Sequence, residues 1–383
     1  MLLNFVRKKL FITGKPGVGK TTLILKLVSY LKSTFPEKEI VGFYTEELRE
    51  RGKRTGFVLK TLPGYKEYLL AKKTRNTGRP RVGSYEVFCE KIEAALNEVE
   101  TVSNKLRNAI FVVDEVGKME VFSQRFCEFF NGLINSKNFL IETVGESNHP
   151  YLSKVRNLKD AILVRLDEEN RDFVFEKLKL DFSRPGKLIV FEGIDGSGKT
   201  TLSRALKGVF ERKGVACVLS EEPTNSKFGQ KIRAFLRGEL QLSKLEVLNL
   251  FLKDRKEHTK SLIIPAIKKG EWVILDRYYL STAAYQSAQG FELKRLLVDS
   301  ETTSLLPDLV VFLDVPPEEA IRRLHTRGLE KSVFEKKEFL RKVYENYKRI
   351  LPLFKHVIVP VDSSPEKALE ELQEVLFKLS VKR

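Results

Sequence analysis

The sequence predicts an α/β fold with two domains in tandem, each built on a doubly wound, mostly parallel sheet. Three observations favour this fold. The pattern G-x-x-x-x-G-K-[ST], which is the P-loop of nucleotide-binding domains, occurs twice, at 14–21 and at 193–200. Each copy follows an apolar run typical of a buried strand and precedes apolar residues at helical spacing. Strands of this kind alternate with helical patterns through both halves, as they do around a parallel sheet.

The individual elements follow from this periodicity. In the first half it predicts strands at 9–14, 40–46, 56–61, 109–114, 139–144 and 161–166, and helices at 20–33, 86–100, 122–136 and 168–180. In the second half it predicts strands at 187–193, 215–220, 271–276, 309–314 and 356–361, with helices between them. Two long helices are expected between Leu242 and Lys269, and another from Lys336 to Leu351. Pro185-Gly186 breaks the pattern, so we expect domains at 1–181 and 186–383 joined by a short linker.

The composition favours a cytoplasmic nucleotide-binding protein. The formal net charge is +17, and it is spread evenly, with 33 Lys and Arg against 24 Asp and Glu through residue 185 and 35 against 27 after it. Such an excess suits two sites for polyanionic nucleotides, so nucleic acid is not expected as a partner. No apolar run approaches the roughly 18 residues of a membrane span. The N-terminus lacks the apolar core of a signal peptide, and the three scattered cysteines suggest a reducing compartment.

The two P-loops define the predicted nucleotide-binding residues. Glycines let successive backbone N–H groups turn toward a phosphate, and the following helix adds the partial positive charge of its N-terminus. Lys20 and Lys199 are expected to reach the β- and γ-phosphates as catalytic cations, and Thr21 and Thr200 to offer hydroxyls to Mg²⁺. The full set is Gly14, Lys15, Pro16, Gly17, Val18, Gly19, Lys20 and Thr21, then Gly193, Ile194, Asp195, Gly196, Ser197, Gly198, Lys199 and Thr200.

In the first half, a buried strand ends in Asp114-Glu115. The carboxyl ends of parallel strands lie at the sheet edge that also carries the P-loop. Asp114 is therefore a candidate Mg²⁺ ligand, and Glu115 a candidate catalytic residue that orients or deprotonates an attacking water. An acidic residue after the metal-binding Asp favours hydrolysis over phosphoryl transfer to another substrate.

The surrounding sequence resembles a known family. The segment VDEVGKMEVFS at 113–123, together with GFYTEE at 42–47, RTGF at 54–57 and RVGSY at 81–85, is similar to the small thermostable nucleoside-triphosphatases, relatives of cancer-related nucleoside-triphosphatase. The resemblance covers about residues 8–180. It implies Mg²⁺-dependent hydrolysis of nucleoside triphosphates to diphosphates and phosphate, with loose base selectivity.

Two basic clusters in this half have open roles. Arg49, Arg51, Lys53 and Arg54 lie in an expected hairpin, where one could be an arginine finger, although a solvated turn is favoured. The second cluster lies in an expected loop rich in Gly and Pro and consists of Lys72, Lys73, Arg75, Arg79 and Arg81. It could be a mobile lid or a nucleic-acid contact. The sequence shows no interleaved aromatic platform that would support nucleic-acid binding there.

In the second half, the corresponding buried strand ends in Asp276-Arg277. An arginine at this edge is a bidentate clamp for a second phosphate, as a nucleoside monophosphate kinase needs. The chemistry would be in-line phosphoryl transfer, which depends on positioning and charge neutralisation and needs no base.

Further segments in the same order closely resemble thymidylate kinase over nearly all of 186–383. They are Glu222-Pro223-Thr224, LFLKDR at 250–255, DRYYLSTAAYQ at 276–286 and PDLVVFLDVP at 307–316. The resemblance implies transfer of the ATP γ-phosphate to dTMP, giving dTDP, with Mg²⁺. The dTMP site it implies places Phe251 against thymine, Arg255 on its exocyclic oxygen, Gln286 and Tyr285 at the base, Asp195 near the sugar, and Arg277 as the catalytic cation on the monophosphate.

The lid over ATP is less well defined. Some members of this family have arginine where this loop has Gly196, so the lid is expected to supply the charge, with Arg327 as the catalytic candidate and Arg323 and Lys331 as alternatives. His258 and His325 show no carboxylate or cysteine partner at ligand spacing and receive no role.

The predicted function is thus a bifunctional enzyme, a dTMP kinase and a nucleoside-triphosphate phosphohydrolase. Its partners are ATP, dTMP and other nucleoside triphosphates, and by resemblance a second copy in a homodimer. Two alternatives remain open. In one, the first half is a slow nucleotide switch or a nucleic-acid-binding module. In the other, the second half is a kinase for another deoxynucleoside monophosphate.

Overall fold

A computed structural model describes residues 5–75, 77–104, 106, 109–326, 333–360 and 364–381. Contacts divide the chain into two compact units, a first of Arg7–Glu176 and a second that contains the chain from Lys177 onward together with Phe5 and Val6. The boundary between the units falls inside a helix, and the domain bounds 1–181 and 186–383 stay a prediction. No helix among the described residues combines the length and apolar character needed to cross a membrane.

The strands of the first unit form one sheet. They are β1 Lys9–Thr13, β2 Ile40–Glu50, β3 Lys53–Leu62, β4 Glu67–Lys73, β5 Arg81–Val82, β6 Tyr85–Val87, β7 Ile110–Val116, β8 Phe139–Val144 and β9 Ala161–Arg165. The helices are α1 Lys20–Thr34, α2 Cys89–Ser103, α3 Gln124–Asn135, α4 Pro150–Arg156 and α5 Arg171–Phe182, of which α5 continues into the second unit.

The second unit continues the numbering. Its strands are β10 Lys187–Glu192, β11 Cys217–Glu221, β12 Trp272–Asp276, β13 Leu309–Asp314 and β14 His356–Pro360. Its helices are α6 Lys199–Arg212, α7 Lys227–Leu236, α8 Lys244–His258, α9 Ile264–Lys268, α10 Tyr279–Ala288, α11 Leu293–Thr303, α12 Pro317–His325, α13 Val333–Ile350 and α14 Pro365–Val381.

The first sheet has a parallel half and an antiparallel half. Its order is β5-β6-β4-β3-β2-β7-β8-β1-β9. The pairs from β2 through β7, β8 and β1 to β9 are parallel, as predicted, and carry the P-loop after β1. The strands from β2 outward to β5 pair antiparallel. The α/β class is confirmed, and the predicted hairpin is present, turning at Arg51 and Gly52 with positive φ.

Three local predictions, two in the antiparallel half of the first sheet and one in the second unit, were wrong. The predicted helix at 86–100 begins too early, because residues 86 and 87 belong to β6, which pairs with β4 before α2 starts at Cys89. Lys72, Lys73 and Arg81, expected in a loop, lie on β4 and β5. The second long helix expected before Lys269 is a π-helical turn at Thr259–Ile263 followed by the short α9.

The second sheet is entirely parallel, with the order β11-β12-β10-β13-β14. Alternate residues of β10 face opposite sides, as strand geometry requires. Leu188 and Val190 belong to a core with α10 and α13, whereas Ile189 and Phe191 belong to a core with α6 and α14. The chain order reverses on either side of β10, so the P-loop that follows β10 lies at the switch point of the sheet.

The expected linker is instead part of the second unit. Arg184 donates hydrogen bonds to the Asp308 carboxylate at 2.6 Å and to the Leu306 carbonyl at 2.6 Å. Asp181 accepts one from the Leu306 N–H at 2.9 Å and pairs with Lys177 at 2.7 Å. These charged side chains are almost fully buried. The end of α5 therefore anchors the start of the second sheet.

This anchor gives a stability prediction. We expect Asp308→Ala to lower the free energy of unfolding of the second unit by about 3–5 kcal/mol, because the buried Arg184 guanidinium loses the carboxylate that accepts two of its hydrogen bonds and keeps only the Asp181 carboxylate at 3.7 Å. The change is measured by urea unfolding of the whole chain, with loss of the activity of this unit as the signal. Glu211→Ala, which removes an exposed ion pair with Lys207 on α6, is the matched control and should leave the midpoint unchanged. An unchanged midpoint for Asp308→Ala would show that the anchor is not stabilising.

Candidate active sites

The first P-loop wraps around its own lysine. Gly19 precedes α1 with φ +102°, a conformation that favours glycine, and a Cβ at Gly14 would lie 2.4 Å from the Leu166 carbonyl oxygen. Lys20 is 7% exposed and donates hydrogen bonds to the carbonyls of Gly14 at 3.1 Å and Lys15 at 3.3 Å. Its ammonium therefore lies inside the loop, where the phosphates of a nucleotide would bind.

Asp114 and Glu115 lie beside this loop at the end of β7. The Asp114 carboxylate is buried and accepts a hydrogen bond from the Thr143 hydroxyl at 2.5 Å, while its other oxygen, Oδ2, has no hydrogen-bond partner among the described residues. Burial raises the pKa of Asp114, and the hydroxyls of Thr143 and Thr21 oppose that rise. Burial likewise raises the pKa of Glu115, which the Lys20 charge opposes. The structure thus brings Thr21, Lys20, Asp114 and Glu115 together.

Two glycines and a third carboxylate surround Glu115. A Cβ at Gly145 would lie 2.9 Å from Glu115 Oε1, and one at Gly117 would lie 3.5 Å from Glu115 Cγ. The Glu120 carboxylate accepts a hydrogen bond from the Gly117 N–H at 3.0 Å, and burial followed by the Glu115 charge raises the pKa of Glu120 to about 8. Glu120 was missed as a site residue, although it lies within the motif at 113–123.

The second P-loop holds Lys199 in the same way. Lys199 donates to the Ile194 carbonyl at 2.8 Å, and burial, followed by the Arg277 charge, lowers the pKa of Lys199 to about 7. The Thr200 hydroxyl donates a short hydrogen bond to the Asp276 carboxylate at the end of β12. Gly196 has φ +82°, and a Cβ there would lie 2.7 Å from the Ala320 carbonyl oxygen. A side chain at this position would therefore require α12 to move.

Arg277 is fixed at the sheet edge by several contacts. It has a positive φ of 71°, unusual for a residue with a side chain. Its guanidinium pairs with Asp195 at 2.6 Å, donates to the Ser281 hydroxyl at 3.0 Å and lies over the Tyr285 ring at 5.3 Å. The Tyr285 hydroxyl donates to Asp195 at 3.0 Å. The structure therefore brings together Arg277, Asp195 and Tyr285.

The residues expected at the base lie on two neighbouring helices. Arg255 on α8 is 1% exposed; it donates to the Thr282 hydroxyl on α10 at 2.8 Å, and its Nη1 has no hydrogen-bond partner among the described residues. Gln286 is one turn after Thr282 and is also buried, with Oε1 unpartnered in the same part of the chain. Phe251 lies one turn before Arg255 and is partly buried.

A buried network orients Arg255, and sequence reasoning missed it. Glu222 accepts hydrogen bonds from Arg255 Nε at 2.8 Å and contacts His258 Nδ1 at 3.1 Å. His258 Nε2 contacts the Ser220 hydroxyl at 2.9 Å. The local sequence spacing gave His258 no role, and the packing of α8 against the end of β11 provides its carboxylate partner from 36 positions away.

A cavity of about 300 Å³ opens between this loop and the sheet edge. It is lined by the P-loop from Asp195 to Thr201, by Glu221–Pro223, and by Arg233, Asp276 and Arg277. Arg233 was not singled out in the sequence. It donates to the Thr224 carbonyl at 2.7 Å, so its guanidinium is held at the cavity together with the Lys199 ammonium and the Arg277 guanidinium. This concentration of cations suits phosphate groups.

Three of the other predicted cations pair with carboxylates. Arg49 and Arg54 in the hairpin pair with Glu47, which supports the solvated-turn alternative. Arg323 on α12 pairs with Glu319 at 2.7 Å. Arg327 and Lys331 lie outside the described residues.

The donor sets at both loops fit Mg²⁺. In the described part of the chain no group of three or more His, Cys, Asp or Glu side chains forms a metal site by itself. Mg²⁺ prefers one or two carboxylate or hydroxyl oxygens together with substrate phosphates. The unpartnered Oδ2 of Asp114 near Thr21, and the Thr200–Asp276 pair, are oxygen donors of this kind.

Comparisons with known proteins match each half separately. A family model described as thymidylate kinase matches residues 191–374, and one described as NTPase matches residues 9–179. The thymidylate kinase of Desulfotalea psychrophila is 44% identical over 177 residues, which are 46% of this chain and 87% of that protein. A probable thymidylate kinase of Archaeoglobus fulgidus is 42% identical over 192 residues, 50% of this chain and 93% of that protein. The thymidylate kinase of Leptospira borgpetersenii is 37% identical over 191 residues, 50% and 93% respectively.

Proposed function

The chain belongs to the thymidylate kinase family through its second half and carries an NTPase-family domain in its first half, and on this basis we propose that it is a bifunctional nucleotide enzyme. The second unit transfers the γ-phosphate of ATP to dTMP, forming dTDP and ADP. The first unit hydrolyses nucleoside triphosphates to diphosphates and phosphate. A homodimer is proposed from the family resemblance.

The observation that carries the kinase proposal is Arg277. It lies at the carboxyl end of β12, next to the P-loop, where its guanidinium can clamp a second phosphate opposite the triphosphate. Asp195 accepts a hydrogen bond from one of its N–H groups, so the Arg277 guanidinium is oriented before substrate binds. Lys199 holds the transferred phosphoryl group and neutralises its charge. The acceptor oxygen belongs to a phosphate that is already ionised, so no residue needs to remove a proton.

Arg255 and Gln286 supply base recognition in this proposal. The unpartnered Nη1 of Arg255 donates to a carbonyl oxygen of thymine, which cytosine replaces with an amino group that cannot accept it. Phe251, one turn away, stacks on the base, and Asp195 and Tyr285 lie near the sugar.

The observation that carries the hydrolase proposal is the position of Glu115. Its carboxylate follows Asp114 at the end of β7 and interacts with the Lys20 charge in the P-loop. Glu115 accepts a proton from the attacking water, while Lys20 balances charge on the phosphates. Thr21 with Asp114, and Thr200 with Asp276, would hold Mg²⁺ in the two units. When bound, the ion supplies Lewis-acid neutralisation of phosphate charge.

Acceptor profiling tests the kinase proposal. Wild-type protein is incubated with ATP and with dTMP, dUMP, dCMP or dGMP, and the diphosphates are separated by chromatography. We expect dTDP formation to exceed dCDP formation by about 10-fold or more, because one good hydrogen bond to the base contributes roughly 1.5 kcal/mol. If no monophosphate is phosphorylated, the kinase proposal fails. Preference for another base would assign a different acceptor to the same site.

His258 provides a test of the network behind Arg255. We expect His258→Leu to raise KM for dTMP about 10-fold with little change in kcat, and to lower the ratio of dTMP to dCMP phosphorylation, because Glu222 loses one of its two partners and no longer fixes Arg255. His258→Asn, whose amide can replace Nδ1, should restore part of the effect. His356→Gln on β14 is the control. Equal losses for dTMP and dCMP would show a general packing role instead.

A further inference from the structure

The antiparallel half of the first sheet places two aromatic rings together. Phe57 on β3 and Tyr85 on β6 lie on either side of β4, with ring centroids 5.2 Å apart and planes at 67°. In the register, Phe57 lies opposite Ala71 and Tyr85 lies opposite Lys73. The small side chain of Ala71 leaves space for the rings to meet above β4. Both rings are only partly buried.

A basic side chain lies over each of these rings. The Arg54 guanidinium lies over the Phe57 ring at 5.5 Å, and the Lys73 ammonium lies over the Tyr85 ring at 5.6 Å. The sheet therefore creates the interleaved aromatic and basic surface that the sequence does not show. Cation–π contacts at exposed positions are weak, so Arg54 and Lys73 can leave the rings for a better anionic partner.

The charge of this region favours a polyanion. Residues 46–90 contain 11 Lys and Arg against 6 Glu. Part of this charge is neutralised, since Glu47 pairs with Arg49 and Arg54. Arg51 and Lys53, at the turn between β2 and β3, are exposed and make no ion pair with the described residues.

We propose that this face of β3, β4 and β6 binds single-stranded nucleic acid. Bases stack on the Phe57 and Tyr85 rings, and phosphates contact Arg51, Lys53 and the released Arg54 and Lys73. A single strand is the occupant because ring stacking needs exposed base faces, which a duplex hides. This surface lies outside both P-loops and goes beyond the proposed function.

Fluorescence anisotropy of the whole chain tests the proposal. The probes are labelled oligo(dT) and oligo(U) of about 20 nucleotides, and a duplex of the same length. Phe57→Leu with Tyr85→Leu removes both rings but keeps apolar volume, and we expect about 10-fold to 100-fold weaker binding of the single strands. Tyr65→Leu is the matched control, because Tyr65 is 53% exposed and has Lys32 over its ring at 5.3 Å in a different turn. Thermal unfolding confirms that each variant is folded.

The outcomes separate the explanations. Loss of single-strand binding in the double variant alone, with weaker duplex binding by wild type, supports the proposal, and a preference for oligo(dT) or oligo(U) identifies DNA or RNA. Equal binding by wild type and double variant would overturn it and leave only sequence-independent attraction to basic side chains. An absence of oligonucleotide binding, with a raised KM for nucleoside triphosphate in the double variant, would also overturn it and assign the rings to the base of the hydrolysed nucleotide.

Discussion

Lys199→Met should reduce dTDP formation about 10³-fold or more while phosphate release from nucleoside triphosphates continues at the wild-type rate. Lys199 is buried in the second P-loop, and its ammonium is the group that would balance charge on the transferred phosphoryl. Burial and Arg277 lower the pKa of Lys199 to about 7. Because bound phosphates would reverse that effect, we expect ATP binding to this unit to take up a proton near neutral pH. Methionine keeps most of the apolar stem of the side chain and removes the ammonium with its charge and donors.

Lys20→Met is the reciprocal control, because Lys20 occupies the same place in the first P-loop. It should abolish hydrolysis in the absence of dTMP and leave dTDP formation unchanged. Both activities are measured on the same preparations, with dTDP and free phosphate quantified separately. If hydrolysis disappears only with Lys199→Met, phosphate release belongs to the kinase unit, and the first unit is a nucleotide switch.

The sequence predicted those parts of the sites that are local in the chain. A P-loop is a continuous segment whose glycines and lysine have fixed spacing, so both loops could be placed from the pattern alone. Asp114-Glu115 and Asp276-Arg277 could be placed because each ends a buried strand, and parallel strands end at one edge of the sheet.

The parts that the sequence did not predict depend on packing between distant segments. His258 meets Glu222 only because α8 packs near the end of β11. Phe57 meets Tyr85 only because β4, which was not predicted, lies between their strands. Neither neighbour is visible at helical or strand spacing, so periodicity carries no signal for such pairs. The buried ion pairs of Asp181 and Arg184 were hidden for a different reason, since a Pro-Gly breaker resembles a linker whether or not it is packed.

Glu115→Gln should lower the rate of nucleoside triphosphate hydrolysis by about 10²–10⁴-fold, because the amide cannot accept a proton from water. Glutamine has nearly the same shape, so nucleotide binding should persist. Burial raises the pKa of Glu115. The carboxylate is the active form, so hydrolysis by wild type should rise with pH through this elevated pKa, and the pH-dependent rise should be absent from the residual activity of the variant.

Gly145→Ala tests the role of the same carboxylate by changing its position and not its charge. An added Cβ would lie 2.9 Å from Glu115 Oε1, so Glu115 must shift while remaining ionisable. We expect kcat for hydrolysis to fall and the pH-dependent rise to remain, which distinguishes displacement of the base from its loss. Gly132→Ala on α3, where a Cβ meets nothing within 4 Å, is the control. If the Glu115→Gln variant hydrolysed nucleoside triphosphates at the wild-type rate at every pH, Glu115 would be excluded as the base. Backbone groups at the end of β7 would then have to orient the water.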